Sequence, residues 1–313
     1  MDRKKFLQLG SFAAASVGIP GILTAAAPQA NPKDLFFDIS LAQWSLHRAL
    51  FDGKIDHLEF PQTAKNEFGI TAVEYVNQFF ADKAEDKSYL DEMNSRCEDL
   101  GVDQVLIMVD GEGDLAIQDD KKRIEGVENH YKWVEAAQHL GCHSIRVNLY
   151  GDGTAEEQKR AAVDSLGRLA EFARDYNINI AVENHGGYSS DGQWLVDVMK
   201  QVNMDNCGTL PDFGNFCVKR ENDARWDGAC IEKYDRYQGV KELMSFAKGV
   251  SAKSYAFGEN GLETTIDFTR MLNIIHKAGY SGYIGVEYEG DKHNEYDGIQ
   301  ATKELLIKLG QEF

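Results

Sequence analysis

Strand-like and helix-like segments alternate eight times between residues 35 and 313 of this chain. The strand-like segments are apolar or β-branched and are bounded by Gly, Asn or Asp. This order predicts parallel strands joined by helices, and eight such units close a sheet on itself. We therefore predict a single α/β domain over residues 35–313, a (β/α)8 TIM barrel. The predicted strands are 37–44, 70–76, 102–109, 144–149, 178–183, 206–212, 249–255 and 283–287.

Helical patterns fill the intervals between the predicted strands. They are clearest at 129–140, 155–176 and 266–278, where apolar residues recur at helical spacing. Glycines follow several of the helical patterns at positions that favour left-handed C-caps. These glycines are Gly69, Gly101, Gly141 and Gly279.

An open, doubly wound sheet is the alternative to a closed barrel. That fold would be favoured by a Gly-rich phosphate loop directly after the first strand. The sequence at this point is QWSL at residues 43–46, which has no glycine. No domain boundary, coiled coil or low-complexity segment interrupts residues 35–313, so we prefer the single barrel.

Composition excludes one class of partner. Hydrophobic residues make up 43% of the chain, enough for a large core, while the net charge is −18 and the isoelectric point is near 4.9. Nucleic-acid binding needs a basic surface, and no Lys/Arg cluster lies beyond the extreme N-terminus. A neutral, sugar-like small molecule fits this acidic balance better than a phosphorylated ligand.

The N-terminus has the pattern of an export signal. Arg3, Lys4 and Lys5 precede a mildly apolar stretch rich in Ala and Gly, and small residues near position 27 offer a cleavage site. The order resembles a twin-arginine signal in which Lys4 replaces the second Arg, so the general secretory route stays open. We expect a cleaved signal at 1–27, a linker at 28–34 and an exported, periplasmic protein. A membrane anchor is less favoured because the apolar run is short and broken.

The cysteines predict no metal or disulfide framework. Their number is odd, no CxxC pair occurs, and a chain of this size rarely depends on disulfides. We expect buried free thiols at all five positions: Cys97, Cys142, Cys207, Cys217 and Cys230.

Three carboxylates end three of the predicted strands. Glu183 closes NINIAVE, Asp212 closes CGTLPD and Glu287 closes GYIGVE. Strand C-termini converge at one mouth of a barrel, where catalytic groups collect. Acids brought together there would repel one another unless a cation held them, and oxygen ligands suit a divalent metal. A single acid of this kind is more often a helix N-cap or a loop charge, but three at equivalent positions favour a metal site.

Two further polar residues are candidates for the same mouth of the barrel. Lys253 shares a predicted strand face with Ser251 and Tyr255, and a lysine aimed into a barrel mouth needs carboxylates or an anionic oxygen beside it. We expect Lys253 to act in catalysis, although an exposed strand end would also explain it. His185 follows Glu183 and precedes two glycines that let the backbone approach a ligand, so we predict substrate contact.

Other candidate substrate residues lie at or just after the first, second and fourth strands. Trp44 could stack on a sugar ring, or it could be a core residue that caps the barrel. The remaining candidates offer hydrogen bonds to hydroxyl groups and are His47, Glu74, Asn77 and Asn148. The acidic residues between 110 and 120 lack the spacing of an EF-hand loop, so we assign them no site.

The motifs together resemble the xylose-isomerase-like TIM-barrel superfamily of sugar isomerases and epimerases, over nearly all of residues 35–313. The carriers are ISLAQWSL, AVEYVN, AVENHGG, LPDFGNF and YIGVEYEG. The resemblance implies that Glu183, Asp212 and Glu287 bind Mn²⁺, Mg²⁺, Co²⁺ or Zn²⁺. It also implies that Glu183 and Glu287 exchange protons with a sugar, and that two or four subunits assemble.

Three positions depart from the pattern of that superfamily. Ser251 stands where a metal-binding His is expected, and Ser254 stands where an Asp follows the lysine. Asn215 replaces a His that often lies three positions after the strand-six Asp. The fourth metal ligand therefore stays open between water, another side chain and none.

The expected chemistry is proton abstraction next to a carbonyl, through an enediolate that a divalent ion stabilises. Return of the proton gives an epimer or an aldose–ketose isomer, and we place this isomerase/epimerase reading first. Exported relatives that act on 3-keto-glycosides imply a close alternative, a 1,2-lyase that expels the aglycone. A non-catalytic carbohydrate-binding barrel is the alternative of another class. An apurinic endonuclease would need several His ligands and a basic face, and the sequence offers neither.

Overall fold

The eight predicted strands form one parallel barrel, so the predicted fold is confirmed. The computed structural model describes residues 35–313, and the predicted export signal and linker lie outside the described residues. The barrel strands are β1 (Asp38–Ala42), β2 (Ala72–Val76), β3 (Asp103–Met108), β4 (Ser144–Val147), β5 (Asn179–Glu183), β6 (Cys207–Leu210), β9 (Val250–Ser254) and β10 (Tyr283–Tyr288), and a separate pair is β7 (Cys217–Arg220) with β8 (Cys230–Lys233).

Helices pack around the outside of the barrel. Seven of them, α3 to α9, begin after an Asp, Thr or Asn whose side chain accepts a hydrogen bond from a backbone N–H of the first turn. All four predicted glycine caps have positive φ. Within residues 35–313, no helix has both the length and the apolar character needed to cross a membrane. The helices are α1 (His47–Phe51), α2 (Phe60–Phe68), α3 (Lys87–Leu100), α4 (Asp120–His139), α5 (Ala155–Arg174), α6 (Gly192–Val202), α7 (Arg236–Leu243), α8 (Phe268–Lys277) and α9 (Glu295–Gly310).

The barrel closes beside one of the predicted metal ligands. The sheet runs in the order β6-β5-β4-β3-β2-β1-β10-β9, and its two ends meet through isolated parallel bridges that join Thr209 to Ala247 and Asp212 to Ser251. β6 ends directly before Pro211, which has no N–H, but the Pro211 carbonyl accepts a hydrogen bond of 2.9 Å from the Ser251 N–H. The closure therefore places a carboxylate and a hydroxyl side by side at the mouth.

Alternation along the strands separates the outer core from the barrel interior. In β5, Ile180 and Val182 belong to the large cluster under the helices, whereas Ala181 belongs to a small cluster inside the barrel. Glu183 therefore faces the interior, as its spacing from Ala181 predicts. The interior cluster consists of Ala42, Ala72, Val76, Val105, Leu106, Met108, Ala181 and Leu210.

An antiparallel hairpin, β7–β8, is inserted between β6 and α7, and sequence analysis did not predict it. Cys217 and Cys230 form a disulfide across this hairpin, with their Cα atoms 5.9 Å apart. The expectation of free thiols is wrong for these two residues, because antiparallel pairing brings the two backbones within bridging distance. The other three cysteines are buried free thiols, as expected: Cys97, Cys142 and Cys207.

The disulfide predicts the number of reactive thiols. In denaturant without reductant, three of the five cysteines should react with a thiol reagent, and all five should react after reduction. A variant with both Cys217→Ser and Cys230→Ser should give three thiols under either condition. Five reactive thiols in the unreduced parent protein would contradict the pairing.

Candidate active site

A cluster of three buried carboxylates lies at the mouth of the barrel. Glu183 is the last residue of β5, Asp212 follows β6 at the closure, and Glu287 lies near the end of β10. One carboxylate oxygen from each residue lies within 4.8 Å of the others, and each residue is 3% exposed or less. The three acids that the sequence pattern singled out are therefore brought together.

Lys253 lies against this cluster from β9. Its Nζ is 3.2 Å from Glu287 Oε1, 3.1 Å from Glu289 Oε2 and 3.9 Å from Asp212 Oδ2, and the side chain is 1% exposed. Burial opposes the charged ammonium, but Glu287 and Glu289 outweigh it and hold the pKa of Lys253 well above its usual range. The buried lysine is therefore a permanent cation.

Arg146 is a second buried cation, and sequence analysis missed it. Its Nε lies 2.8 Å from Glu183 Oε2, as an ion pair without hydrogen-bond alignment, and its Nη1 donates to Asp110 Oδ1 at 2.7 Å. Burial disfavours the guanidinium, but Asp110 and Glu183 hold the pKa of Arg146 above its usual value. Asp110 belongs to the acidic stretch that was assigned no site. The sequence does contain a signal for the Arg146–Asp110 pair: Arg146 is a charged residue between two apolar residues of its strand, two residues before Asn148.

Ser251 lies between two members of the cluster. Its hydroxyl oxygen is 2.7 Å from Asp212 Oδ2 and 2.6 Å from Glu287 Oε2. A hydroxyl has one hydrogen, so it can donate to only one of these carboxylates at a time. The other short contact requires either a proton on that carboxyl group or a cation that shares the oxygens.

Neutral donors fix the remaining carboxylate oxygens. Asn215 Nδ2 donates to Glu183 Oε1 at 3.0 Å, so the residue that replaces the expected His holds the first metal-ligand candidate. Asp212 Oδ1 accepts from the backbone N–H groups of Gly214 and Asn215 at 2.8 and 2.7 Å. These bonds leave Asp212 Oδ2 directed towards Ser251 and Glu287.

The cluster holds more negative charge than its two cations balance. Burial, with the charge of Glu287 added, raises the pKa of Glu183 to about 7 against the opposing effect of Arg146. Burial also raises the pKa of Asp212 to about 8, although Lys253 opposes it. Metal ligation by carboxylates requires their ionised forms, and a bound cation would favour those forms.

The donor set fits a divalent metal ion. Three carboxylate oxygens lie close enough together to share one ion, and they come from Glu183, Asp212 and Glu287. A cation there would offset their negative charge and would explain the second short contact of the Ser251 hydroxyl, which has only one hydrogen to donate. Ser251 adds a neutral oxygen in place of the expected His. The ammonium of Lys253 lies beside this position and is shared between Glu287 and Glu289, so its one charge does not balance both.

A cavity of about 780 Å³ opens onto the cluster. Trp44 lines it near the carboxylates, where the indole Nε1 donates to Glu289 Oε1 at 2.5 Å. Glu289 lies two residues after Glu287, just past the end of β10, and was not predicted. Burial would raise its pKa, but Lys253 and the Trp44 hydrogen bond hold the pKa of Glu289 below its usual value.

Asn148 and His185 form a polar wall of the same cavity. Asn148 Nδ2 donates to Asp110 Oδ1 at 2.6 Å, and its Oδ1 lies 2.7 Å from His185 Nδ1. The Tyr150 hydroxyl also lies 2.8 Å from His185 Nδ1. Burial, with the charge of Arg146 added, lowers the pKa of His185 to about 3, so its ring is neutral at physiological pH. A neutral wall of this kind suits hydroxyl groups.

Three predicted substrate residues do not line this cavity within the described structure. His47 stacks behind Trp44, with ring centroids 4.7 Å apart, and its Nδ1 lies 2.6 Å from the Trp44 carbonyl oxygen. Asn77 exchanges two hydrogen bonds of 2.9 Å with the backbone of Asp110. Both residues therefore position parts of the site, because each fixes a residue that lines the cavity.

Glu74 lies deeper in the barrel interior than the cavity reaches. A Cβ atom at Gly285 would lie 2.7 Å from both Glu74 carboxyl oxygens, so only glycine leaves room for this side chain. Ser40 donates to it, and burial, reinforced by the charges of Glu287 and Glu183, raises the pKa of Glu74 to about 8. Glu74 is therefore mostly protonated and neutral at pH 7.

Comparison with known proteins assigns the family. The model of the xylose isomerase-like TIM barrel family matches residues 63–309. The chain belongs to this family. An inosose dehydratase from Erwinia tasmaniensis is 24% identical to this chain over 199 residues. That match covers 55% of this chain and 65% of the relative, just under two thirds of its length.

Solved structures share the xylose isomerase-like fold with this chain. A D-psicose 3-epimerase with D-tagatose, from Clostridium cellulolyticum H10, superposes with a TM-score of 0.66 at 12% identity, over 87% of this chain and 99% of that one. The IolI protein with a bound zinc atom gives a TM-score of 0.63 at 15% identity, over 88% and 99%. Identities this low establish the fold alone.

The raised carboxyl pKa values predict how stability changes with pH. Groups whose pKa is raised by folding stabilise the protein while they are protonated, and this contribution disappears as pH rises through the folded-state value. With chelator present, the thermal midpoint should decrease as pH rises from 6.5 to 8, the upper part of the interval between the ordinary carboxyl pKa values and the folded-state pKa values of Glu183, Asp212 and Glu74. Buried histidines do not interfere, because their ordinary pKa of 6.5 lies at or below this range.

Two comparisons test the source of this slope. Added Mn²⁺ should flatten it, and the Asp212→Asn variant should lose part of it even with chelator present. A midpoint that stays constant or rises from pH 6.5 to 8 in the chelated parent protein would contradict the assignment. Scanning calorimetry across the pH series provides the measurement.

Proposed function

We propose that this protein is a sugar isomerase/epimerase-type enzyme that removes a proton from carbon next to a carbonyl group. One observation carries the proposal: Glu183 and Glu287 reach a single buried cluster from two different strands, together with Asp212. Two carboxylates with separate approaches to a bound sugar can take a proton and return one. The names of the epimerase and inosose dehydratase relatives support an action on sugar-like substrates.

The two glutamates divide the proton transfer. The pKa of Glu183 near 7 leaves a large fraction ionised at neutral pH, so it can accept a proton and still release it. Glu287, which reaches the same cluster from β10, is its partner. Return of the proton to the other face of the same carbon gives an epimer, and its delivery to the neighbouring carbon gives an aldose–ketose isomer.

Glu183, Asp212 and Glu287 would hold the divalent ion that the family resemblance implies. Such an ion supplies a Lewis acid beside the substrate carbonyl. The zinc atom bound by the IolI protein supports a divalent metal on this fold, and the three carboxylates support it in this chain. The sequence leaves the metal open between Mn²⁺, Mg²⁺, Co²⁺ and Zn²⁺.

Lys253 and Arg146 stabilise negative charge that develops on the substrate. Both are cations at neutral pH, and both are fixed by carboxylates on at least two sides. Groups held in this way need no reorganisation when an enediolate oxygen forms near them. We assign the Lys253 ammonium to that oxygen, because it lies between Glu287 and Asp212 within the cluster.

Elimination is the second candidate reaction, and the extent of the cavity supports it. The cavity extends from Glu287 to the loop after β3, far enough to hold a group attached to the reacting sugar. In a 3-keto-glycoside, removal of the proton at C2 and cleavage of the C1–O bond would form the C1–C2 double bond. The aglycone oxygen would leave as the alcohol after it receives a proton from the site.

We also propose that the protein is exported and folds in an oxidising compartment. The Cys217–Cys230 disulfide supports this location, because disulfides persist in secreted and periplasmic proteins and are rare in the cytosol. The basic and apolar pattern at the N-terminus gives independent support.

Solvent exchange tests the proposed reaction. The Mn²⁺-supplemented protein should catalyse the incorporation of deuterium from D2O into ketoses or 3-keto-glycosides, at the carbon next to the carbonyl. Proton NMR follows this exchange. Glu183→Gln and Glu287→Gln should each slow this exchange by about 10²-fold or more, because each removes a proton acceptor. A new sugar product would identify isomerisation or epimerisation, and a released alcohol would identify elimination.

Glu74→Gln provides a matched control for the two variants. It also replaces a buried barrel glutamate, but Glu74 is mostly neutral at pH 7 and lies outside the group of three carboxylates that share one site, so exchange should change by less than about threefold. Absence of exchange on every ketose and 3-keto-glycoside, with the ion bound, would contradict the enzyme proposal. The non-catalytic carbohydrate-binding barrel would then be the better reading.

A further inference from the structure

The disulfide-closed hairpin reaches across the mouth of the cavity. Residues 224–229, between the tip of the hairpin and β8, carry Arg225 and Trp226 into the cavity lining. Arg225 Nη2 donates to Asp114 Oδ2 at 2.8 Å, and its guanidinium lies 4.1 Å from the ring centroid of Tyr150. The segment is therefore anchored to the loop after β3 and to the residue that supports His185.

Trp226 packs with one part of its ring and leaves the rest open. Its centroid lies 4.6 Å from His185 and 5.7 Å from Tyr150, where the contact is edge to face. The side chain is nevertheless 47% exposed, and it lines the same cavity as Glu287. An indole held in place on one side, with free apolar surface on the other, is a platform on which a ring can stack.

The cavity is too large for one sugar. Pockets of roughly 300–1,000 Å³ hold drug-sized ligands, and this cavity of about 780 Å³ falls in the upper part of that range. One end is lined by Glu287, a member of the carboxylate cluster, and by Lys253's partner Glu289. The polar side chains that line the other end, beside Trp226, are Glu112, Asp114, Lys122, Glu125 and Asn129.

The charges at this outer end favour a neutral ligand group. Arg225 is paired with Asp114, and Glu112 is paired with Lys132 and accepts from the Trp133 indole N–H. The remaining charges, Lys122 and Glu125, have opposite signs. No net cation is left here for a phosphate, whereas amide and backbone groups remain for hydroxyls.

We infer that the outer end of the cavity is a second-ring subsite: the substrate is a glycoside whose sugar reacts at the carboxylates and whose second, uncharged ring stacks on Trp226. The Cys217–Cys230 disulfide holds the hairpin that presents this indole. The inference rests on the proposed function, because it extends the substrate of the same site. The second ring is a pyranose or an aromatic aglycone, since both have the apolar face that an indole accepts.

Calorimetric binding with non-reacting probes tests the subsite. The probes are methyl glycosides, phenyl glycosides and disaccharides in the gluco, galacto and xylo series, titrated into the Mn²⁺-supplemented protein. The two-ring probes should bind about tenfold more tightly than the methyl glycoside of the same series. Whether the disaccharide or the phenyl glycoside binds better identifies the kind of second ring.

Variants of the hairpin locate the effect. Trp226→Ala should reduce the two-ring preference to about onefold, and Trp226→Phe should retain part of it. Ile231→Ala is the matched control, because Ile231 is 58% exposed on β8 of the same hairpin and does not line the cavity. The Cys217→Ser, Cys230→Ser double variant should weaken the two-ring preference, because it removes the disulfide that holds the hairpin. It changes no residue that lines the cavity.

Two results would overturn the subsite. One is equal binding of one-ring and two-ring probes by the parent protein, or no binding of either. The other is a two-ring preference that survives Trp226→Ala. Failure of the subsite leaves deuterium exchange on free ketoses intact, whereas failure of the proposed function removes exchange and leaves the two-ring preference. The two failures are therefore distinguishable.

Discussion

The repulsion between buried carboxylates is the constraint on which the site depends. Glu183, Asp212 and Glu287 converge because they end strands of a closed barrel, and burial makes their mutual charge costly. Lys253 and Arg146 offset part of this charge, and Ser251 cannot donate its one hydrogen to both neighbours. The cluster therefore carries negative charge that these two cations do not balance, at the mouth of the barrel.

Each layer around the cluster has a physical reason to be where it is. β6 ends directly before Pro211, and the barrel closes through two isolated bridges, of which the one from Asp212 reaches Ser251 on β9. Asp110 fixes Arg146, and Asn77 fixes the backbone of Asp110, so a strand-three loop orients a strand-four cation. Beyond this layer, the hairpin adds Trp226 over His185 and lengthens the cavity away from the carboxylates.

Sequence reasoning predicted the periodic parts of this protein better than the inserted ones. The eight strands and the inward faces of Glu183, Asp212 and Glu287 follow from alternation and from the convergence of strand ends. The hairpin and its disulfide lie in a polar segment without such a period, so neither was predicted. Arg146 was missed because its partners, Asp110 and Glu183, lie 36 and 37 positions away and meet only in the folded barrel.

Metal analysis of the purified protein, after incubation with Mn²⁺, Co²⁺ or Zn²⁺ and removal of free ion, tests the central claim most directly. We expect about one divalent ion per chain, and much less in the Glu183→Gln, Asp212→Asn and Glu287→Gln variants, because each loses one carboxylate ligand. No bound ion in the parent protein under any of these conditions would contradict the account. Lys253, Arg146 and protons on the carboxyl groups would then be the whole charge balance of the cluster.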